Sequence, residues 1–196
     1  KNPKLGKKLL ISGGGRCNLT NNRQNIRTLA EQYKGSEKFL MSAFSQFDVA
    51  KTVEFFNSMG MKTKEEAEGR IFPVSNKSQS VLDVLIKYMK NGGAEVKTNS
   101  AVADIFLDEK KEYIKIQLKD GKTLTARSCV VATGGVSHPE TGSTGDGFGW
   151  LAQLGHTISK PTPTIVPLAV SEAWVKEFAG VSLSLMKITF FVNEVK

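Results

Sequence analysis

The sequence predicts an α/β fold, and three observations support this prediction. Apolar residues recur with helical spacing between residues 36 and 91, and the period of the pattern changes to two from about residue 95. A continuous apolar run at 129–131 then leads into Gly134 and Gly135. Runs of this kind are typical of buried parallel strands, and the ligands of open α/β sheets bind at the carboxyl ends of such strands.

Three helices are expected in the first half of the chain. Ser36 and Asp48 are suitable N-caps for helices over 36–47 and 48–59, because both stand directly before apolar residues at helical spacing. The third helix is expected over 78–91, where a pair of glycines follows its last turn.

A two-residue period indicates short strands in the second half. They are expected over 95–98, 101–107, 113–118 and 124–126. The dipeptide Asp120-Gly121 between the last two is a hairpin signal, so the strands within 101–126 should form a β-meander. Asp146 is the expected N-cap of a final helix over 146–154.

Three prolines indicate a domain boundary near Pro163. The first domain is therefore predicted to span 1–163, and a second, mostly β domain to span 164–196 with strands at 168–170 and 187–192. The chain begins with lysine rather than methionine and ends in a strand-like run. We therefore expect it to be a fragment of a longer protein.

Composition narrows the possible function classes. The 196 residues include 27 Lys+Arg and 19 Asp+Glu, a formal net charge of +8. The lysines are scattered without interleaved aromatic residues, so no nucleic-acid partner is expected, and the charge fits an anionic cofactor or chance. Two distant cysteines exclude a disulfide scaffold and fit a reducing, cytoplasmic location, and with two distant histidines no metal site is expected. No apolar run approaches the length of a membrane span.

The first candidate ligand-binding motif is SGGGRCN at 12–18. Glycines directly after an apolar run let backbone N–H groups approach a phosphate or a planar ring without obstruction by a Cβ, and Arg16 adds a positive charge. The motif is not a P-loop, and Asn18 stands where the third glycine of GxGxxG would be. Taken alone, it is equally compatible with a flexible surface turn.

Two further glycine loops lie at 132–135 and 141–147. The first follows the apolar run at 129–131, where small residues would let a cofactor lie against the backbone. The second directly precedes a helix, so Asp146 is explained as its N-cap. The amides and hydroxyls of this loop are also suited to line the crevice at the carboxyl end of the strand. Together the three loops favour a planar cofactor that carries phosphate.

These motifs resemble those of a bacterial family of FAD-dependent oxidoreductases, whose members include NAD(P)/FAD-dependent oxidoreductases, aminoacetone oxidases and flavin reductases. The resemblance rests on KLGKK at 4–8, SGGGRCNLTN at 12–21, GRIFPVS at 69–75, ATGG at 132–135 and TGDG at 144–147. It covers essentially the whole chain. It implies an incomplete Rossmann-like FAD-binding domain and the start of an inserted, mostly β domain, with the GxGxxG unit before the first residue and a further segment after the last.

The resemblance also implies a set of cofactor-binding residues. They are Lys8, Ser12, Gly13, Gly14, Gly15, Arg16, Cys17, Asn18, Val102, Ala132, Thr133, Gly134, Gly135, Gly145 and Asp146. The pyrophosphate and ribitol of FAD would face Lys8, Ser12, Gly13, Gly14 and Arg16, whereas Cys17 and Asn18 would lie near the flavin. Val102 would contact the adenine through its backbone, and the loop at 132–135 would border the cofactor.

Catalytic residues are less clearly indicated. His138 follows Gly135 by three residues, and this position makes it a weak candidate for proton transfer. Arg70 is a weak candidate for a substrate or pyrophosphate contact, and an ion pair with a nearby glutamate explains it equally well. Cys17 is better explained as a small packed residue than as a redox centre, because no second cysteine is near it in sequence.

The implied function is that of a cytoplasmic FAD-dependent oxidoreductase. It would act on a small molecule by hydride transfer at flavin N5, with NAD(P)H or O2 as the second partner. Two alternatives from other classes stay open: a non-catalytic basic module that binds nucleic acid, and a nucleotide-binding α/β enzyme without flavin. Visible flavin absorption of the purified protein would separate the first function from both alternatives.

Overall fold

The computed structural model describes residues 1–163, 169–181 and Thr189. Contacts between Cα atoms divide the chain into two units, Lys1–Pro161 and Thr162–Lys196. All of the predicted site residues belong to the first unit. The assignment of 1–163 and 164–196 to two functional domains stays a prediction.

The second unit contains a 3-10 helix over Ala173–Phe178 among its described residues. In this helix the rings of Trp174 and Phe178 meet edge to face, with their centroids 5.8 Å apart. Ala169 and Val170 have no regular secondary structure. Apart from these two residues and Thr189, the strands expected at 168–170 and 187–192 lie outside the described residues.

The first unit contains six α-helices within its described residues. They are α1 (Lys7–Ile11), α2 (Ile26–Ala30), α3 (Glu37–Gln46), α4 (Val49–Ser58), α5 (Ser78–Asn91) and α6 (Asp146–Gln153). The four longer helices confirm the helices expected from apolar spacing, whereas α1 and α2 have five residues each and were not expected. Within the described part of the chain, every helix is too short or too polar to cross a membrane.

Helix capping follows the sequence at Asp48, follows it in position but without a side-chain hydrogen bond at Ser36, and departs from it at Asp146. The Asp48 carboxylate accepts a hydrogen bond from the Lys51 amide at 2.9 Å, which confirms Asp48 as the N-cap of α4. Ser36 precedes α3 but makes no side-chain cap hydrogen bond. The prediction for Asp146 is wrong, because Gly145 in a left-handed conformation occupies the N-cap and Asp146 is the first helical residue. The Asp146 carboxylate is instead bound to other side chains.

Six strands form two antiparallel three-stranded sheets within the described residues. The first sheet has the order β1 (Thr20–Asn21), β3 (Arg70–Pro73), β2 (Thr63–Glu66). The second has the order β4 (Val102–Leu107), β5 (Ile114–Leu118), β6 (Thr123–Ala126). The second sheet confirms the expected β-meander, with Ile116 paired to Ile105 on one side and to Leu124 on the other.

Two predicted strands are wrong. Residues 95–98 have no strand conformation, and neither does the apolar run at 129–131. Val130 is 88% exposed, so the run is not a buried parallel strand in this structure. A buried parallel strand needs hydrogen-bonded neighbours and a covering layer, and the described residues place no strand beside this run.

The core lies between α4, α5 and the first sheet. Its larger cluster of buried residues consists of Cys17, Phe56, Met61, Val81 and Val84. A second cluster consists of Leu29, Val49 and Ile71. Because Cys17 is part of the larger cluster, the end of the first glycine motif is anchored in the core.

Candidate cofactor site

The first glycine motif is a tight loop directly after α1. Gly13 and Gly14 have φ of +55° and +64°, in the left-handed region that favours glycine. The Cys17 amide donates to the Ser12 carbonyl at 3.0 Å and closes the loop. A Cβ at Gly13 would lie 2.6 Å from the backbone nitrogen of Asn18, so the loop itself requires this glycine. A Cβ at Gly14 would meet no atom of the described residues within 4 Å, so in this part of the chain the loop is open to an approaching ligand at Gly14.

Arg16 at the end of this loop is held by two contacts. Its guanidinium lies 4.0 Å above the ring of Phe72, which is 2% exposed. Its Nη1 donates to both carboxylate oxygens of Glu66, at 3.0 and 2.9 Å. Lys64 also contacts Glu66, at 2.9 Å. Hydrogen bonds from Lys64 and then from Arg16 lower the pKa of Glu66 below its usual value.

Cys17 and Asn18, expected near a flavin, differ in burial. Cys17 has φ of +59° and is 8% exposed, with its side chain in the core cluster. Asn18 is exposed at the surface. With its amide nitrogen facing the acceptors around it, this nitrogen donates to the carbonyls of Thr20 and Ile71. The two side chains therefore fix the loop to the core and to the first sheet.

The loop at 132–135 packs against the loop before α6. A Cβ at Gly147 would lie 2.5 Å from the Thr133 hydroxyl, and one at Gly134 would lie 2.8 Å from the Ser143 hydroxyl. These approaches bring together the two glycine loops that the sequence placed at one crevice. Their contact with a cofactor stays a prediction.

The first two residues of the chain bind the loop at 141–147. The Lys1 ammonium donates to the Asp146 carboxylate at 2.7 Å and also to the Thr144 hydroxyl. The Asn2 amide donates to the Thr141 carbonyl at 2.7 Å. Hydrogen bonds from Lys1 and then from Thr144 lower the pKa of Asp146. No sequence motif indicated Lys1 or Asn2, because each contact joins residues about 140 positions apart.

Val102 and Asp146 line one pocket of about 350 Å³. Val102 begins β4, and the pocket continues along Trp150 of α6 and the side chains of Asp104 and Lys119. The structure thus brings the residue expected at the adenine close to the start of α6. Whether adenine binds there stays a prediction.

Helix α1 lies beside the turn that carries His138. Lys7 donates to the Glu140 carbonyl at 3.4 Å, while Lys8 is exposed on the same helix. His138 Nδ1 and a Glu140 carboxylate oxygen are 2.8 Å apart, and both side chains are exposed. The backbone amide of Glu140 lowers the pKa of its carboxyl, with further contributions from His138 and the charge of Lys8. The predicted residues Lys8 and His138 therefore lie in one region.

Arg70 is part of β3, opposite Glu66 in the ladder. Its Nε donates to the Ala67 carbonyl at 3.1 Å and lies 3.9 Å from a carboxylate oxygen of Glu68. The contact with Glu68 agrees with the interpretation of Arg70 as an ion-pair partner of a nearby glutamate. The sequence analysis did not identify Glu66 as the partner of Arg16. The acidic stretch at 65–68 was the sequence feature that could have indicated it.

The site residues thus form two groups. Contacts join the loop at 12–18 to β2 and β3, and other contacts join the loop at 132–135 to the start of α6. Among residues 1–163, 169–181 and 189, no three His, Cys, Asp or Glu side chains are grouped as metal ligands would be. The expected absence of a metal stays a prediction.

Known proteins resemble this chain over most of its length. It is 34% identical over 178 residues to a 3-dehydro-bile acid delta(4,6)-reductase of Clostridium scindens, covering 90% of this chain and 42% of the relative. Two ribosomal RNA dihydrouridine synthases match over 183 residues and 92% of this chain. The one from Escherichia coli is 27% identical with 44% of its length covered, and the one from Haemophilus influenzae is 26% identical with 45% covered.

The chain spans less than half the length of these curated relatives. Residues 1–190 match the family described as HI0933-like protein Rossmann domain. This match confirms the family and the α/β fold class that the motifs at 12–21 and 132–135 predicted. The chain therefore belongs to the HI0933-like family, a family of flavin-dependent oxidoreductases with a Rossmann-like domain.

Proposed function

We propose that this chain is the cofactor-binding part of an FAD-dependent oxidoreductase that acts on a small molecule. The loop at 12–16 would hold the pyrophosphate and ribitol of FAD, and the loops at 132–135 and 145–146 would border the cofactor. Val102 would contact the adenine. The enzyme would work in the cytoplasm, where its free cysteines are compatible with the reducing conditions.

The open glycine loop with Arg16 at its edge is the observation that carries this proposal. At Gly14 the backbone has positive φ and free space on the side where a Cβ would point. A phosphate group needs such an unobstructed backbone and a nearby cation. Arg16 supplies the cation in a fixed position. The residues present therefore fit the pyrophosphate of FAD.

Bound FAD would supply the redox chemistry by hydride transfer at flavin N5, with NAD(P)H or O2 as the second partner. The residues of this chain would bind and orient it. The amides around Gly14 and the charge of Arg16 would hold the phosphates, and Thr133 and Gly134 would lie along the cofactor. His138 stays a weak candidate for proton transfer, and Arg70 a weak candidate for a substrate or pyrophosphate contact.

The names of the relatives support a proposal for the substrate class. The relative that shares 34% identity with this chain is named for a bile acid, whereas the two at 26–27% are named for ribosomal RNA. The higher identity favours a small, largely apolar substrate. RNA is the second candidate substrate, because two of the relatives are named for ribosomal RNA.

FAD titration of matched variants tests the proposal. We expect the purified protein to quench FAD fluorescence in a saturable manner, and Gly14→Ala to weaken binding because its methyl group occupies the free side of the loop. Gly35→Ala is the matched control, since Gly35 also has positive φ and open space around its Cβ position but lies between α2 and α3. Absence of saturable binding by the unaltered protein, or equal effects of the two substitutions, would contradict the proposal.

RNA binding separates the two substrate candidates. For a small-molecule enzyme we expect weak RNA binding that is abolished at moderate salt concentration and is unaffected by FAD. An RNA substrate would give binding that survives at physiological salt and is strengthened by bound FAD. Measuring the RNA affinity at two salt concentrations, with and without FAD, decides between them.

A further inference from the structure

Arg16, Glu66 and Phe72 form a packed stack at the edge of the glycine loop. The buried ring of Phe72 is the base of the stack, and one edge carbon would lie 3.4 Å from a Cβ at Gly13. The Arg16 guanidinium lies on the ring at 4.0 Å, and Glu66 binds one end of the guanidinium through both oxygens. Among the described residues only Nη1 of the Arg16 guanidinium makes a hydrogen bond, which leaves its other N–H donors for a ligand.

The strand register explains why Glu66 rather than its neighbour makes this contact. Lys64 pairs with Phe72 and Glu66 with Arg70, so these four side chains share one face of the β2–β3 ladder. Glu65 pairs with Ile71 and points to the other face, where it accepts a hydrogen bond from Asn22. Glu65 and Glu66 are adjacent and carry the same charge, but they lie on opposite faces and have different partners.

Two effects of Glu66 on an anionic ligand have opposite signs. Its negative charge repels a phosphate, so this charge alone would weaken binding. Its hydrogen bonds fix the long Arg16 side chain, so less side-chain entropy is lost when a ligand binds. Because the Glu66 carboxylate is paired with both Arg16 and Lys64, the three side chains together carry a net positive charge, so the repulsion is the smaller effect.

We infer that Glu66 is a positioning residue, which holds Arg16 flat on Phe72 in the orientation that binds the pyrophosphate. Lys64 in turn holds Glu66, with an Nζ to Oε1 distance of 2.9 Å. This inference rests on the proposed function, because it takes FAD as the ligand of the loop. It assigns a role to three residues that the glycine motif does not contain.

The sign of the change in FAD affinity tests the inference. Glu66→Gln should weaken FAD binding by roughly three- to tenfold, the effect expected when one long side chain must be ordered on binding. Glu65→Gln removes the same charge from the opposite face and should leave the affinity within about twofold, as screening of a distant charge predicts. In an Arg16→Ala background, Glu66→Gln should have no further effect, because a positioning residue acts through its partner.

Glu66→Asp separates position from charge. It keeps the carboxylate but withdraws it by one methylene. Weakened FAD binding by Glu66→Asp therefore also supports the inference. This second variant keeps the test valid if Glu66→Gln lowers the thermal unfolding midpoint. Unchanged or tighter binding by both variants would overturn it, and so would a loss that persists without Arg16. If the unaltered protein binds FAD and the Glu66 variants match it, this inference alone fails. If the unaltered protein does not bind FAD, the proposed function fails as well.

Discussion

The indole Nε1 of Trp150 donates a hydrogen bond to the backbone carbonyl of Ala103 over 3.1 Å. This bond joins helix α6 to the first strand of the meander, and Trp150 is 8% exposed at the contact. Both elements line the pocket that contains Val102 and Asp146. The position of the third glycine loop therefore depends on the packing of α6 against β4.

Trp150→Phe should destabilise the first unit by about 1–3 kcal/mol, because the Ala103 carbonyl loses its donor and the smaller ring fills less of the buried space. Urea unfolding followed by circular dichroism measures this change. Trp174→Phe is the matched control, because Trp174 is 59% exposed in the second unit and its replacement should alter stability by less than about 0.5 kcal/mol. Equal effects of both substitutions would show that the bond to Ala103 does not stabilise the packing of α6.

Two glycines of α6 should respond to alanine with opposite signs. A Cβ at Gly147 would lie 2.5 Å from the Thr133 hydroxyl and 2.9 Å from Val131 Cγ1, so Gly147→Ala should destabilise the protein by about 1–3 kcal/mol. A Cβ at Gly149 would meet none of the described atoms within 4 Å, so Gly149→Ala should stabilise the helix by up to about 1 kcal/mol. Thermal unfolding of the two variants tests this difference, and a stabilising Gly147→Ala would contradict the close packing of the loops.

The sequence was sufficient to predict the elements whose signals are local. Helices α3 to α6 have apolar residues at helical spacing, and the meander has alternating residues around the turn at Asp120-Gly121. The run at 129–131 was misread because an apolar segment becomes a buried strand only where neighbouring strands and a covering layer exist. Such partners are distant in sequence and leave no local signal.

The site was predictable in its motifs but not in its side-chain contacts. The glycines and Arg16 were identified from one heptapeptide and its family resemblance. The partner of Arg16 is 50 residues away, and the partner of Asp146 is 145 residues away. Many charged residues of a +8 chain are equivalent candidates for such pairs, so composition and spacing cannot select among them.

The N-cap of α4 provides a test that is independent of the cofactor. Asp48 accepts from the Lys51 amide at 2.9 Å, and Asp48→Ala leaves this amide without its side-chain partner. We expect a loss of about 1 kcal/mol, and a much smaller one for Asp48→Asn, which keeps an oxygen acceptor. Chemical denaturation measures both values. A similar loss in the two variants would mean that the charge of Asp48, rather than its hydrogen bond, stabilises the helix.

Acid should weaken the attachment of Lys1 to the third glycine loop. The hydrogen bonds from Lys1 and Thr144 lower the pKa of Asp146 in the folded protein. A carboxyl with a lowered folded-state pKa contributes stability above its unfolded pKa of about 4, and this contribution is lost as the pH falls through the folded-state pKa. In the Asp146→Asn variant, stability should therefore decrease less steeply with acidification in this range.

Thermal unfolding between pH 7 and pH 2.5 is the measurement for this prediction. Lys1→Met should reduce the slope in the same direction, because it removes the principal partner of Asp146. Lys4→Met removes an equal charge from the same segment and should keep the full slope, since Lys4 makes no ion pair within the described residues. The interpretation would be wrong if Asp146→Asn and Lys1→Met both retained the slope of the unaltered protein, because the acid sensitivity would then arise from other carboxylates.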